Sequence, residues 1–156
     1  MTGVEIRPIE ADDVDGLRRL FFRLSPRTVY LRFFAPIQRP SEKTLRFLAG
    51  VDHDGREALA AVVDGEIIGV ARYDRDKDDP TRAEVAVVVQ DDWQGHGVGH
   101  VLLNELSRTA RRHGVVMFTA SVLGENRRVL DVTHHLNPAT HGHLVQGEWE
   151  LEIPVA

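Results

Sequence analysis

The sequence contains no cysteine. That excludes disulfides, thiolate metal sites and a cysteine nucleophile, and it accords with a cytoplasmic location. No apolar run approaches the ~20 residues that cross a bilayer as a helix. The opening Met1-Thr2-Gly3-Val4-Glu5 lacks the basic-then-apolar pattern of a secretory signal, so a cytoplasmic protein without a membrane partner is expected. Long blocks of Lys and Arg are missing, which makes nucleic acid a poor partner. Repeats, linkers and low-complexity segments are missing too.

What is present is an ordinary globular composition, with 42% apolar residues. A chain of 156 residues fits a single domain, 1–156, at the usual ~100–200 residues per domain. The net charge of −5 gives a mildly acidic surface, which suits a cationic substrate such as an amine.

The alternation in Val4-Glu5-Ile6-Arg7-Pro8 predicts a first strand. Asp12 or Asp13 caps a helix to about Leu24, with Val14, Leu17, Leu20, Phe21 and Leu24 on one face. Ser25-Pro26 opens a second helix through Tyr30, Leu31 and Phe34, broken by Pro36 and Pro40. A short third helix starts at Ser41 and ends near Gly50. Residues 56–63 and 67–73 are strands joined by Asp64-Gly65, a hairpin signal. Further strands are expected over 83–89 and 115–122, a long helix over 98–113, a last helix from Glu125 to about Leu136, and a terminal strand within 144–155. The pattern β-α-α-α-β-β-β-α-β-α-β is an α/β (α+β) assembly: a mixed sheet covered by helices.

The most informative stretch is Gln94-Gly95-His96-Gly97-Val98-Gly99. It follows the apolar strand and opens the long helix. Glycine lets the backbone bend and lets a ligand approach the main chain. The helix start offers unpaired N–H groups and partial positive charge, a natural seat for phosphate. Val98, Gly99 and His100 follow Gly97 with no lysine, which rules against a Walker loop, and the glycine spacing is wrong for a dinucleotide fingerprint.

The loop instead matches Gln/Arg-x-x-Gly-x-Gly/Ala and so resembles the pyrophosphate loop of the GNAT N-acetyltransferases, with Gln94, Gly97 and Gly99 at the motif positions. Ile6-Arg7-Pro8, Val63 to Gly69, Ala83 to Val89 and Glu125-Asn126-Arg127-Arg128 stand in the same order as in that family, so the likeness covers about residues 4–133. Leu24-Ser25-Pro26, Tyr30-Leu31-Arg32-Phe33-Phe34 and Ala71-Arg72-Tyr73 are similar to the catalytic domain of bacterial Pat-type protein lysine acetyltransferases. Those relatives usually carry a further regulatory or synthetase-like domain, for which this chain is expected to have no room.

The resemblance implies a GNAT fold with a mostly antiparallel mixed sheet of six to seven strands flanked by helices. It implies acetyl-CoA as cofactor and a primary amine as acceptor. A protein lysine, possibly on an acyl-CoA synthetase, is preferred; a small-molecule amine or a non-catalytic acyl-CoA sensor are the alternatives. Transfer would be direct, since no cysteine is available to carry the acyl group. A lysine amine has a pKa near ~10.4 and is almost wholly charged at pH 7, so a general base helps. Glu84, the lone acid in an alanine–valine strand, is the candidate, and burial there is expected to raise its pKa.

The likeness assigns cofactor contacts to main-chain groups of Val87, Val88 and Val89, to the loop from Gln94 through Gly95, His96, Gly97, Val98 and Gly99 to His100, and to Asn126 and Arg128. His96 and His100 are expected at the loop surface rather than in catalysis. Helix capping accounts for Asn126 equally well. Where many members place an acid tyrosine, this chain has Thr133; His134 or His135 are possible substitutes. Residues 134–143 depart from the family and read as a solvated loop, and His134, His135, His141 and His143 are not expected to hold a metal. The acceptor surface is expected around Tyr30 to Arg39 and this late loop. Monomer and homodimer are both left open.

Overall fold

The computed structural model describes residues 3–33 and 40–155, with Phe33 described by its backbone alone. Seven strands form one sheet in the order β1-β2-β3-β4-β5-β7-β6. They are β1 (Glu5–Pro8), β2 (Arg56–Val63), β3 (Glu66–Arg75), β4 (Arg82–Val89), β5 (Met117–Leu123), β6 (His141–Val145) and β7 (Glu148–Pro154). All neighbours run antiparallel except β4 and β5. Helices α1 (Val14–Arg23), α2 (Pro26–Phe33) and α3 (Glu42–Ala49) precede β2; α4 (Val98–Arg112) and α5 (Arg127–Leu136) follow β4 and β5.

Alternation along the strands sends each to two cores. Ala58, Ala60, Val62, Val70 and Val88 pack with Leu17, Leu20 and Phe21 of α1 and Leu45 and Leu48 of α3. Leu59, Ala61, Ala71, Tyr73, Val85, Phe118 and Ile153 pack with Leu102, Leu103 and Leu106 of α4. A buried leucine of this kind contributes about 1.5–3 kcal/mol, so these faces fix α4 and its N-terminus against the sheet.

The expected order of elements holds, with one correction. Residues 141–145 are an edge strand rather than a solvated loop, and the expected terminal strand is a hairpin of β6 and β7. Gln146 (φ 51°) and Gly147 (φ 83°) make its turn. Positive φ at both turn residues is what closes a tight hairpin. Every residue of β6 is exposed, so no apolar alternation marks it in the sequence. Ser25 opens α2 as read, its Oγ accepting the Thr28 N–H at 3.1 Å. Phe34 and Pro36 lie outside the described residues, and with them the 34–39 portion of the expected acceptor surface.

Candidate functional site

The site begins where two parallel strands part. β4 and β5 pair only over Arg82–Glu84 and Met117–Thr119. Beyond Glu84, β4 continues beside β3 as far as Val89, while β5 turns to β7. A wedge opens between them. The Gln90 N–H donates to the Ile68 carbonyl of β3 at 2.8 Å. By strand alternation, Val88 also spends its main-chain groups on β3, and Val87 and Val89 turn theirs to the wedge. Of the three valines expected to offer main-chain groups to a ligand, Val88 turns its own to β3, and the Val89 carbonyl accepts from Gln94 Nε2 at 2.9 Å.

The glycine loop closes the wide end. Gly95 and Gly97 take φ of 78° and 86°, in the left-handed region that favours glycine. Gly97 is the N-cap of α4, and among the described residues no side chain caps that end. The first bond back to the cap comes from Val101 N–H at 3.0 Å. The N–H groups of Val98, Gly99 and His100 thus have no acceptor within the helix, at the positive end of a fifteen-residue helix. Gly99 has room for a methyl group, with Val89 Cγ2 at 3.8 Å from an added Cβ. Its glycine is not demanded by the backbone.

Gln94 lines the cleft and also fastens the loop. Its Nε2 donates to the Val89 carbonyl at 2.9 Å and to Thr28 Oγ1 at 3.3 Å. Asp91 does the same kind of fastening. Its carboxylate accepts from Ser25 N–H at 3.0 Å, Ser25 Oγ at 2.7 Å and Thr28 Oγ1 at 2.9 Å. Burial pushes this carboxyl upward, but those donors outweigh it and hold Asp91 below the usual carboxylate range. The end of β4, the loop and the start of α2 are one hydrogen-bonded unit. Sequence reading missed Asp91 and Thr28, because their partners are more than sixty positions away in the chain.

A cleft of about 730 Å³ lies between this unit and α5. That volume falls in the ~300–1,000 Å³ range of small-ligand sites. Val87 to Val89, Gln94, Gly95, Gly97 to His100, Asn126 and Arg128 all line it. His96 does not; it stands edge-on to Trp93, ring centres 6.4 Å apart. Arg128 lies across from the loop, with Nη1 2.9 Å from where a Gly95 Cβ would stand. Arg27, Arg32 and Arg127 also border the cleft, as do Asp91, Glu125 and Asp131, and Arg27 pairs with Glu125 at 3.8 Å. Asn126 sits at the N-cap of α5, yet its side chain makes no capping bond. Of the two accounts of Asn126, capping is the one the geometry does not support.

Glu84 is not among the residues that line the cleft; it stands in the last paired row before the strands part, opposite Asp74 of β3 and Thr119 of β5. It is exposed, contrary to the expected burial. Ala83 and Val85 point into the core under α4, so strand alternation turns Glu84 to the opposite face. Arg32 of α2 lies in the field of both Asp74 and Glu84. Burial holds its guanidinium below the usual arginine range, and the two acids partly offset that.

Thr133 is buried, and its hydroxyl donates to the Leu130 carbonyl at 2.8 Å. His134 is exposed and lies off the cleft, whereas His135 borders it. Its Nδ1 is 2.9 Å from the Asp131 carbonyl and must donate there. His141 meets Glu152 at 3.1 Å on the β6–β7 hairpin. Among the described residues no cluster of three metal-binding side chains occurs.

A wedge between splayed parallel strands, with an uncapped helix start at its wide end, is a place for a long phosphate-bearing thioester. Known proteins agree. Residues 22–136 match the acetyltransferase (GNAT) family. An acetyltransferase of Pseudomonas aeruginosa is 34% identical over 83% of this chain and 71% of its own length. The acetyltransferase Pat of Mycolicibacterium smegmatis is 33% identical over 81% of this chain, which spans only 39% of that protein. The crystal structure of the GNAT domain of S. lividans Pat superimposes with a TM-score of 0.91 at 34% identity, covering 97% of this chain and 90% of that one. On its fold and on these likenesses, the chain belongs to the acetyltransferase (GNAT) family and takes its acetyl group from acetyl-CoA.

Proposed function

We propose that the chain transfers acetyl directly from acetyl-CoA to a primary amine, with a protein lysine as acceptor and Glu84 as general base. The observation that carries this reading is the position of Glu84 at the apex where β4 and β5 separate. The diphosphate binds the N–H groups of Val98, Gly99 and His100, and Arg128 neutralises part of its charge. The pantetheine arm lies along the main chain of Val87 and the Val89 N–H, within reach of the Asn126 carboxamide. The thioester carbonyl then comes to rest near Glu84.

The acceptor ammonium approaches the exposed Glu84 side chain on the face away from α4 and gives a proton to its carboxylate. The freed amine attacks the thioester carbon, forming the C–N bond. An N–H facing the wedge, that of Val87, stabilises the oxyanion. Collapse of the tetrahedral intermediate breaks the C–S bond and releases the CoA thiolate. A thiol pKa near ~8.5, as in the cysteine analogue, lets that thiolate leave, and the second proton of the attacking nitrogen, lost through water as the amide forms, protonates it. An acid residue is not needed, which fits a Thr133 hydroxyl already given to Leu130. Likeness to Pat acetyltransferases, together with the motifs that resemble the Pat-type protein lysine acetyltransferases, supports lysine as acceptor, with an acyl-CoA synthetase as one candidate target.

The test is turnover of Glu84→Gln at pH 7 with a lysine peptide. We expect a loss of roughly 10²–10³-fold in kcat with acetyl-CoA affinity nearly unchanged. A variant as fast as the wild type removes Glu84 from the mechanism. CoA release with polyamines but not with lysine peptides or acyl-CoA synthetases moves the acceptor to small amines. No release with any amine makes the chain an acyl-CoA sensor.

A further inference from the structure

Half of the sheet is bare on the side where Glu84 stands. The core beneath α1 and α3 takes its strand residues from β2, β3 and β4 alone. β5 and β7 bury Phe118, Ala120, Leu151 and Ile153 in the opposite core, under α4. Alternation therefore turns Thr119 and Ser121 of β5 and Glu148, Glu150 and Glu152 of β7 to the uncovered face. That face begins at the proposed base, because Glu84, Thr119 and Glu152 share one row across β4, β5 and β7. Its charges are one-sided. Arg82 and His141 hold Glu152, at 2.5 and 3.1 Å. Glu148 and Glu150 are in no ion pair among the described residues; Glu150 accepts the Ser121 hydroxyl at 2.9 Å. On the other side of Glu84 the cations gather. Arg32 of α2, Arg56 of β2 and Arg72 of β3 all lie in the field of Asp74, with Arg56 Nε at 3.5 Å. A polycation reaching Glu84 is thus repelled on the β3 side and attracted on the β7 side.

We infer that this bare face receives an extended stretch of the acceptor protein that carries a lysine or arginine to one side of the acetylated lysine. The inference rests on Glu84 as the base that meets that lysine. β7 lies two strands from β4. At ~4.8 Å per strand and ~3.3 Å per residue along a strand, Glu150 stands about 12 Å from Glu84 and Glu148 about 16 Å. An extended peptide covers that distance in about three to five residues. The basic residue therefore falls about three to five positions from the acceptor lysine, on the flank that runs over β7. Glu148 and Glu150 are the carboxylates it meets, since Glu152 already has Arg82. Solvent-exposed ion pairs are weak one by one, so the two glutamates choose among lysines rather than hold the acceptor by themselves. Nucleic acid and acidic segments are repelled by the same row.

The experiment uses the whole chain, acetyl-CoA and three lysine peptides: one with alanine on both flanks, one with arginines before the lysine and one with arginines after it. Turnover is read beside calorimetric affinities of the CoA-bound protein for each peptide. We expect one arginine peptide to have a KM about fivefold below that of the alanine peptide, with kcat within about twofold and the advantage gone in about 0.5 M salt. Glu148→Gln together with Glu150→Gln should erase the advantage while acetyl-CoA affinity stays unchanged. Glutamine keeps an acceptor for Ser121, and Glu148→Gln alone serves if the double variant does not fold. Glu150→Lys should pass the advantage to a peptide with glutamates in place of the arginines. An advantage on neither flank, or equally on both, overturns the inference, as does one that survives the double variant or high salt. Spermidine binding without any peptide preference gives the face to small polycations, and a dimer that Glu150→Lys dissociates gives it to a second copy; each overturns the inference too. Failure of every lysine peptide to turn over is a separate result. It overturns the assignment of lysine and Glu84 beneath the inference, while the calorimetric preference still reads the face.

Discussion

Thr133 illustrates how much one hydroxyl's partner decides. The chain position invites a role as proton donor, in place of the usual tyrosine. Its Oγ1 is buried and given to the Leu130 carbonyl, and its own carbonyl accepts from Thr140 Oγ1 at 3.1 Å. A hydroxyl bonded back into its own helix has no proton aimed at a leaving group. Thr133→Val should therefore keep kcat within about threefold, while stability falls by about 1 kcal/mol for the lost hydrogen bond. Turnover at saturating donor and a denaturant melt check both parts. A loss of two orders of magnitude in kcat with the fold intact would return Thr133 to the mechanism. Glu84 teaches the converse. Its identity as the lone acid of its strand was legible, but its exposure was not, because the face it takes depends on which neighbours α4 covers.

At the scale of elements, the loop between β4 and α4 is where sequence and geometry agree most closely. Gly97, a motif position, takes a positive φ as read, Gly95 does so outside the motif positions, and Gly99, where the motif admits Gly or Ala, does not need to be glycine. The two classes separate by mutation. Gly95→Ala places a methyl group at positive φ and 2.9 Å from Arg128 Nη1. It should weaken acetyl-CoA binding about tenfold, with the strain costing roughly 1–2 kcal/mol. Gly99→Ala should leave affinity within about threefold, since its Cβ meets nothing closer than 3.8 Å. Calorimetric titration of both variants decides; equal losses would mean that the loop is not read by its backbone. Helices with a clear period, such as α1 and α4, were legible because burial on one face imposes it, and β2 and β3 were legible as apolar runs buried on both faces. β6 was not, since an exposed edge strand carries no apolar alternation and its Gln146-Gly147 turn lacks the usual Asn or Asp. The fastening of the loop by Asp91 and Thr28 was likewise invisible: the chain gives no local sign of a contact between residues more than sixty positions apart.

The whole molecule titrates in two directions. Asp13, bonded to Arg7 at 2.8 Å, and Asp91, held by Ser25 and Thr28, both lie below the ordinary carboxylate pKa. Their contribution to stability is present above the unfolded value near ~3.9 and is lost as pH falls through the lower folded values. His53 runs the other way. Its hydrogen bond to Glu57 at 2.8 Å raises its pKa, against some desolvation. That stability is fully present below about pH 6.5 and is lost as pH rises through the raised folded value. The Tm should therefore peak in mildly acidic buffer, fall steeply toward pH 3, and decline gently toward pH 9, because the His53 side chain is partly solvated. His53→Asn, which tolerates the positive φ at this position, should flatten the alkaline decline alone. A Tm that rises between pH 7 and 9 in the wild type contradicts this assignment.

Everything proposed about catalysis depends on where the CoA diphosphate sits. A crystal structure of the chain with acetyl-CoA measures that directly. The account predicts diphosphate oxygens within hydrogen-bonding distance of the N–H groups of Val98, Gly99 and His100, beside Arg128, with the thioester at the parting of β4 and β5. A diphosphate bound elsewhere, with these three N–H groups still facing water, would contradict it.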